Sequence, residues 1–383
     1  MDETGSERIE TVVIGAGQAG LSAGYSLKRA GRSFVILDAN AEAGGSWLNR
    51  YDSLQLFTPR WAVRLPGWRF QNRDVRYPSR DQMVAFLQSY AERFDLPVRT
   101  GVRVERISRE GDGYLLSTDA GPIEAGNVIV ATGANRDPRI PTFSRELDPS
   151  IVQLHSSEYR NPSQLREGGV LVVGAGNSGA EIALESSASH PIWLSGRDTG
   201  QEPVRAGGLP DRLFTPPFWF LLSHILTVRT PMGRRARQQL SGRGLPLARV
   251  RRKDLDRAGV ERVPRVTGVR DGLPTLADGA TIDPANVVWC TGFMPDFRWI
   301  DLPIFDDVGE PRHDRGVVRS APGLYFIGLF FLSSGSSSLI GGVGRDAAHI
   351  ARHIASQRAE GRPAEQWAHT TRASHTPTLD ISP

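Results

Sequence analysis

Apolar residues along this chain come in short, β-branched runs, and each run breaks at glycine. Residues 9–14, IETVVI, read as a strand buried on both faces, because the run is short and does not alternate. Gly15-Ala16-Gly17-Gln18-Ala19-Gly20 follows, and LSAGYSLKRAG then has a helical pattern that stops at Gly31. SFVILD closes the unit as a second strand ending at Asp38. Residues 80–93 carry an amphipathic helical pattern. Short strands with a GDG turn at 111–113 fill 98–131 and end in NVIVATGAN. The same order then returns. VLVVG at 170–174 is a strand, Gly174-Ala175-Gly176-Asn177-Ser178-Gly179 a turn, AEIALESSA a helix and PIWLSGR a strand. NVVWCTGF at 286–293 echoes NVIVATGA at 127–134. GLYFIG is a late strand, followed by the tract SSGSSSLIGGVG, a helix over about 341–357 and a loose polar tail from about 359. These paired echoes predict an α/β fold of two Rossmann-like dinucleotide-binding domains, one inserted into the other. The outer domain takes residues 1–150 and 288–383 and the inner one 151–287, with an aromatic, Arg-rich insert at about 203–253.

Each glycine in such a turn has a task. The first permits the tight bend, the second lets a pyrophosphate approach the backbone, and the third lets helix and strand pack closely. The helix N-terminus supplies free N–H groups and a partial positive charge. A strand before the turn and a helix after it make both matches specific. Asp38, at the end of the first unit, suits a ribose 2′-hydroxyl and repels a 2′-phosphate. Ser195-Gly196-Arg197 ends the second unit without an acid, and Arg197 suits a 2′-phosphate. The pairing this implies is FAD on Gly15, Gly17, Gly20 and Asp38, and NADPH on Gly174, Gly176, Gly179, Asn177, Ser178 and Arg197. The helix after the Ser/Gly tract is expected to point its positive end at the flavin.

Composition narrows what the electrons do. Cys290 is the only cysteine, so a redox pair within the chain is excluded, and a buried, inert thiol is the expected reading. Without a thiol relay the natural acceptor is oxygen. The net charge is +4 and Lys28 and Lys253 are the only lysines, so the basic excess is arginine spread among acids rather than a nucleic-acid footprint. The polar start MDETGSER lacks the order of a signal peptide, and FWFLLSHILTV at 218–228 is too short to span a bilayer. A cytoplasmic protein is expected. No metal-ligating cluster stands out.

Several motifs in this order resemble the class B flavin-dependent monooxygenases, the family of the flavin-containing monooxygenases and YUCCA-type enzymes. They are GAGQAG, GGSW at 44–47, RYDSLQLFTP at 50–59, HSSEYRNP at 155–162, GAGNSG, SGR, WCTGFMPDF at 289–297 and GGVGRDAAHIA at 341–351. The resemblance covers about residues 9–357. It implies that NADPH reduces FAD, that oxygen adds to the flavin to form a hydroperoxide shielded by bound NADP+, and that one oxygen atom passes to a small organic substrate. The products it implies are N- or S-oxygenated, or of the Baeyer–Villiger or oxidative decarboxylation type. It also implies Gln18, Ala19, Gly45, Ser46, Trp47, Val104, Thr132, Gly133 and Leu339 around FAD, and Ser195, His155, Ser156, Thr291 and Gly292 around NADP. His155 and Tyr159 match half of the family's identifying motif, while Pro149 and Ile151 replace its usual Phe and Gly. Phe57 stands where animal-type members have Asn, which leaves Gln55 and Thr58 as the polar candidates beside the chemistry.

Two other readings stay open on the residues alone: an NADPH oxidase or electron-transfer reductase, and a cofactor-binding redox sensor. The segment 209–253 reads as a cap over the substrate entrance or a contact in a homodimer, with a membrane-surface role disfavoured.

Overall fold

The computed structural model describes residues 6–133, 137–202, 209–240 and 245–359. The expected tail from about 359 therefore lies almost wholly outside the described residues, as do parts of the insert. Two sheets organise the chain. In the first, strands run in the order Val98–Thr100, Val35–Asp38, Glu7–Ile14, Ile123–Val130, Gly113–Thr118, Val104–Glu110. Glu7–Ile14 is parallel to both neighbours, with Ile14 opposite Leu37 on one side and Val130 on the other. Strand Leu324–Phe326 also lies parallel to the far half of Ile123–Val130.

The unalternated apolar runs follow from burial on both faces. Val13, Ile36, Ile129 and Tyr325 face one way, onto helices Gln18–Arg29 and Val343–Ala359. Val12, Leu37, Val128 and Phe326 face the other, onto Tyr114, Leu116, Phe297 and Ile300. Helix Arg80–Arg93 begins at Ser79 with a capping box: Ser79 Oγ accepts from Gln82 N, and Gln82 Oε1 accepts from Ser79 N. It buries Met83, Phe86, Leu87 and Tyr90 in the first core.

The second sheet is wholly parallel, in the order Val152–His155, Asn286–Trp289, Val170–Val173, Ile192–Ser195, Glu261–Val263. Helix Asn177–Ser186 covers one face through Ala180, Ile182 and Ala183. The second sheet is parallel throughout and the first carries an antiparallel pair, Gly113–Thr118 and Val104–Glu110, beside its parallel strands; in each the glycine turn stands at the carboxyl end of a central parallel strand.

The insert sits inside the second unit in sequence; its end packs there through Leu247 and Val250, yet its helix Leu209–Phe220 docks on the first. Helix Leu209–Phe220 carries Asp211, whose carboxylate accepts from Arg76 Nη2 (2.5 Å), Tyr77 Oη (2.6 Å) and Thr215 Oγ1. Buried Trp219 meets Trp61 edge to face, with ring centroids 6.2 Å apart. Ser223 Oγ donates to Ser336 Oγ, Val228 N to Ser333 O and Gly335 N to Leu226 O. Leu213, Phe220 and Met232 remain exposed. No helix among the described residues is long and apolar enough to cross a membrane.

Candidate functional site: two glycine turns and the crevice between the sheets

Close packing builds the first turn, and glycine alone permits it. Gly15 holds φ +107, and a Cβ there would stand 2.7 Å from the Ala131 carbonyl oxygen, with Thr132 behind it. A Cβ on Gly20 would overlap the Gly15 carbonyl. Gly17 differs: its φ of −78 and ψ of −172 are ordinary, and a Cβ would meet nothing within 4 Å. It is the N-cap of helix Gln18–Arg29 and has no side-chain cap. The first N–H groups of that helix are thus available to an anion. Beside them, Gln18 Nε2 donates to Ser338 O at 2.8 Å, while Gln18 Oε1 is buried without a partner. Open space over a glycine and uncapped N–H groups fit the diphosphate end of a dinucleotide; the orphaned Gln18 oxygen is an acceptor and fits a donor beside it, not the anion.

The second turn repeats this construction. A Cβ on Gly174 (φ +113) would overlap the Cys290 carbonyl, and one on Gly179 the Gly174 carbonyl. Gly176 meets nothing within 4 Å and N-caps helix Asn177–Ser186, again without a side-chain cap. Cys290 is therefore the counterpart of Ala131, the floor under the turn. Burial pushes its thiol up to about 12, which makes it inert at neutral pH.

Register separates the two turns. Ile14 pairs with Leu37 and Val173 with Ser195. Gly15 N donates to Leu37 O, and Gly174 N to Ser195 O. Gly196, not Arg197, thus occupies the place of Asp38. The Asp38 carboxylate is buried, accepts from Ala16 N at 2.5 Å and takes both nitrogens of Asn40. At Gly196 (φ +145) a Cβ would press to 2.7 Å from Ala175 N, so an acid has no room there. Arg197 follows, exposed and without an ion pair among the described residues. Arg262 Nη2 donates to Gly196 O at 3.2 Å, and Arg252 pairs with Asp198. Burial, with Arg252 nearby, lowers the Arg262 pKa, as expected where positive charges crowd.

Two residues expected around NADP use their side chains in hydrogen bonds within the chain. The buried Ser195 hydroxyl donates to Pro264 O (2.9 Å) and accepts from Val266 N (3.0 Å). Asn177 Nδ2 donates to Pro246 O and its Oδ1 accepts from Ala248 N, tying the end of the insert to the helix start. Both side chains brace the second turn rather than face it. Ser178 stands next to Tyr51 of the first unit.

The remaining expected residues fall around these turns. Gly44, left-handed at φ +76, precedes Gly45 and donates from N to Ala16 O; Gly45 is buried, Ser46 exposed, and Trp47 packs on the first core. Ala19 packs beneath Gly328. Gly133 (φ +75) follows Thr132. Val104 is buried at the start of its strand, in the core shared with Leu37. Leu339 follows Ser338, the residue Gln18 holds. On the second side, His155 is fully buried; its Nε2 lies 3.1 Å from Gly292 O and its Nδ1 2.8 Å from Ser157 Oγ. Burial lowers the His155 pKa, so the ring is neutral at pH 7. Ser156 N donates to Trp289 O, Thr291 Oγ1 to Arg139 O, and buried Tyr159 contacts Glu185 and Ser186. His155 thus holds the Gly292 loop, and Tyr159 ties the same turn to the end of helix Asn177–Ser186.

Gln55 and Thr58 part company. Gln55 is exposed, and its carbonyl accepts from Arg249 Nη1. Thr58 is buried, with no hydrogen-bond partner for its hydroxyl among the described residues. Phe57, between them, is exposed.

Sequence reasoning missed two clusters. Tyr51 Oη donates to Glu181 Oε2 at 2.7 Å, and Arg249 comes within 3.5 Å of the same oxygen, so three segments meet between the sheets. Burial raises the Glu181 pKa. No spacing rule links a tyrosine to a glutamate 130 positions away. Asp346 stands in the first turn of helix Val343–Ala359, almost fully buried, and accepts from Ser333 Oγ. Burial raises its pKa, while the Ser333 and Ser337 hydroxyls act the other way.

Known proteins share this arrangement. The sequence model of the pyridine nucleotide-disulphide oxidoreductase family matches residues 12–202. The chain is 39% identical over 351 residues to the uncharacterized CzcO-like oxidoreductase of Geobacillus kaustophilus (strain HTA426), covering 90% of this chain and 98% of that protein. It is 29% identical over 380 residues to the probable indole-3-pyruvate monooxygenase YUCCA1 of Arabidopsis thaliana, covering 90% and 89%. Among solved structures, the flavin-containing monooxygenase from Stenotrophomonas maltophilia superposes with a TM-score of 0.69 at 29% identity, covering 92% of this chain and 99% of that one.

Proposed function

The chain belongs to the class B flavin monooxygenase family, and on that premise we propose that it is an NADPH-consuming, FAD-dependent enzyme that places one oxygen atom of dioxygen on a small organic substrate. One observation carries the reading: two turns of the same construction, one closed by Asp38 and one by Gly196 and Arg197, stand in a chain without a cysteine pair. In this reading the outer unit, residues 1–150 and 288–383, takes FAD and the inner unit, 151–287, takes NADPH. Bound there, FAD supplies a two-electron carrier between NADPH and dioxygen.

The chain's own residues do the rest. The N–H groups beyond Gly17 and Gly176 would hold the two diphosphates, and Asp38, which keeps the first turn in shape, would accept from a ribose. His155 keeps the Gly292 loop against the crevice. The insert, docked through Asp211 and Trp219, packs Leu222 and Trp219 over Gly335 and Gly341 of the Ser/Gly tract, where it would keep water from a flavin bound beneath. Thr58, buried as a residue and with no side-chain hydrogen bond among the described residues, is the side chain of this loop that could meet substrate or oxygen.

NADPH selectivity tests the division of labour. Arg197→Ala removes a charge-assisted bond to a 2′-phosphate that contributes about 1.5–3 kcal/mol, or roughly ten- to a hundredfold. The expected result is a loss of that size in kcat/KM for NADPH with NADH left nearly unchanged. Equal losses for both nucleotides would remove Arg197 from the phosphate site. Oxygenation is then tested by a panel of thioethers, amines and ketones, each assayed for product and for suppression of peroxide release.

A further inference from the structure

Arg50 is a cation with no ion pair among the described residues. It leaves the loop that follows Gly44-Gly45-Ser46-Trp47 and reaches across to the second sheet, where its guanidinium lies 4.8 Å from the centroid of the Phe293 ring. Phe293 comes just after Thr291-Gly292 and meets the His155 ring edge to face at 5.0 Å. No ion pair or side-chain hydrogen bond of Arg50 occurs among the described residues, no described carboxylate figures among the charges that act on it, and those on the adjoining segments have other partners. Asp52 accepts from Arg80 and Asn161, Glu181 from Tyr51 with Arg249 beside it, and Glu158 from His155 N. Burial lowers the Arg50 pKa; Tyr51 opposes this only as a phenolate, and Arg160 adds to it. Burial raises the Tyr51 phenol so far that no phenolate forms at working pH. A cation taken from water calls for a partner of opposite charge.

Position says which anion. Across the second sheet the central strand Val170–Val173 has Ile192–Ser195 on one side, leading to Arg197, and Asn286–Trp289 on the other, leading to Phe293. A dinucleotide laid over the Gly174–Gly179 turn, with its 2′-phosphate at Arg197, therefore brings its nicotinamide half to the Phe293 side. Tyr51, next to Arg50, already touches Ser178 and Glu181 on the helix of that turn.

We propose that Arg50 reaches from the first unit to bind the nicotinamide-side phosphate of the dinucleotide held by the second, so that a single guanidinium ties that half of the nucleotide to the flavin unit. This rests on the reading of the second turn as the NADPH site. A planar guanidinium suits a phosphate through two parallel N–H donors, which a lysine cannot supply. Arg50 is a positioning residue: it sets where the nicotinamide stands and takes no part in the chemistry.

The test is calorimetry on flavin-loaded protein, wild type, Arg50→Gln and Arg50→Lys, with NADP+, nicotinamide mononucleotide and adenosine 2′-monophosphate as probes. Arg50→Gln is expected to weaken NADP+ roughly ten- to a hundredfold, to weaken the mononucleotide in parallel, and to leave adenosine 2′-monophosphate unchanged. Arg50→Lys should fall between. Unchanged binding of NADP+ and the mononucleotide to Arg50→Gln would overturn the proposal, and so would equal weakening of all three probes, which marks a general distortion. A wild type that binds none of them would overturn the reading of the second turn, and the proposal with it.

Discussion

Gly17→Val is expected to give a folded protein that purifies without colour. The substitution separates cofactor loss from misfolding, because the three glycines of the first turn differ in what surrounds them. At Gly15 and Gly20 an added Cβ meets backbone, so a variant there parts strand from helix and loses flavin for a trivial reason. At Gly17 the backbone is extended and a Cβ meets nothing within 4 Å. The cost to the fold is that of a poorer N-cap, about 1 kcal/mol. The cost to a diphosphate is larger, since the valine branches occupy the space it needs. Losing two charge-assisted bonds from the helix N–H groups costs about 3–6 kcal/mol, roughly a hundred- to ten-thousandfold in affinity. Flavin content from the visible spectrum, read beside thermal unfolding, checks this. A yellow Gly17→Val protein with full flavin occupancy would remove the first turn from the FAD site.

Gly176→Val is expected to keep the flavin and lose its reduction by NADPH. Gly176 has the same extended backbone and the same open surroundings as Gly17, on the other sheet. The protein should purify yellow, with dithionite bleaching it as in the wild type. Reduction by sub-saturating NADPH should slow roughly a hundredfold or more, by the same loss of two helix-end bonds. Anaerobic stopped-flow reduction reads both reductants on one sample. If Gly176→Val lost flavin while Gly17→Val kept it, the two cofactors would have to exchange places.

Much of this architecture was legible in the sequence because local rules and burial agree there. The runs IETVVI and VLVVG are strands because both faces of each sheet are covered, and the glycine turns sit where a strand must pass into a helix. The helix Arg80–Arg93 carries its own stop and start signals in Ser79, Gln82 and Arg93. The hairpin at Gly111 follows from a left-handed glycine, φ +51, between two strands. What could not be read depends on atoms distant in sequence. Ser195 and Asn177 stand where a residue around NADP is expected, and only the structure shows that their side chains also hold Val266 and Ala248. The equivalence of Gly196 with Asp38 needs the strand register. The insert is flanked by second-unit sequence, but Asp211 finds Arg76 and Tyr77 on the first. Arg50 looks like any arginine until the partners of Asp52 and Glu181 are known.

The central claim is that the enzyme activates dioxygen and holds it for a substrate. Flavin-loaded protein is reduced anaerobically with NADPH and mixed with oxygenated buffer in a stopped-flow spectrometer, with peroxide assayed in parallel. The expected result is a species with a spectrum distinct from both reduced and oxidised flavin, which persists before the oxidised spectrum returns and delays peroxide release. A single-step return to oxidised flavin, with peroxide matching the NADPH consumed at saturating NADP+ and in the presence of every substrate in the panel, would contradict the claim and leave an NADPH oxidase.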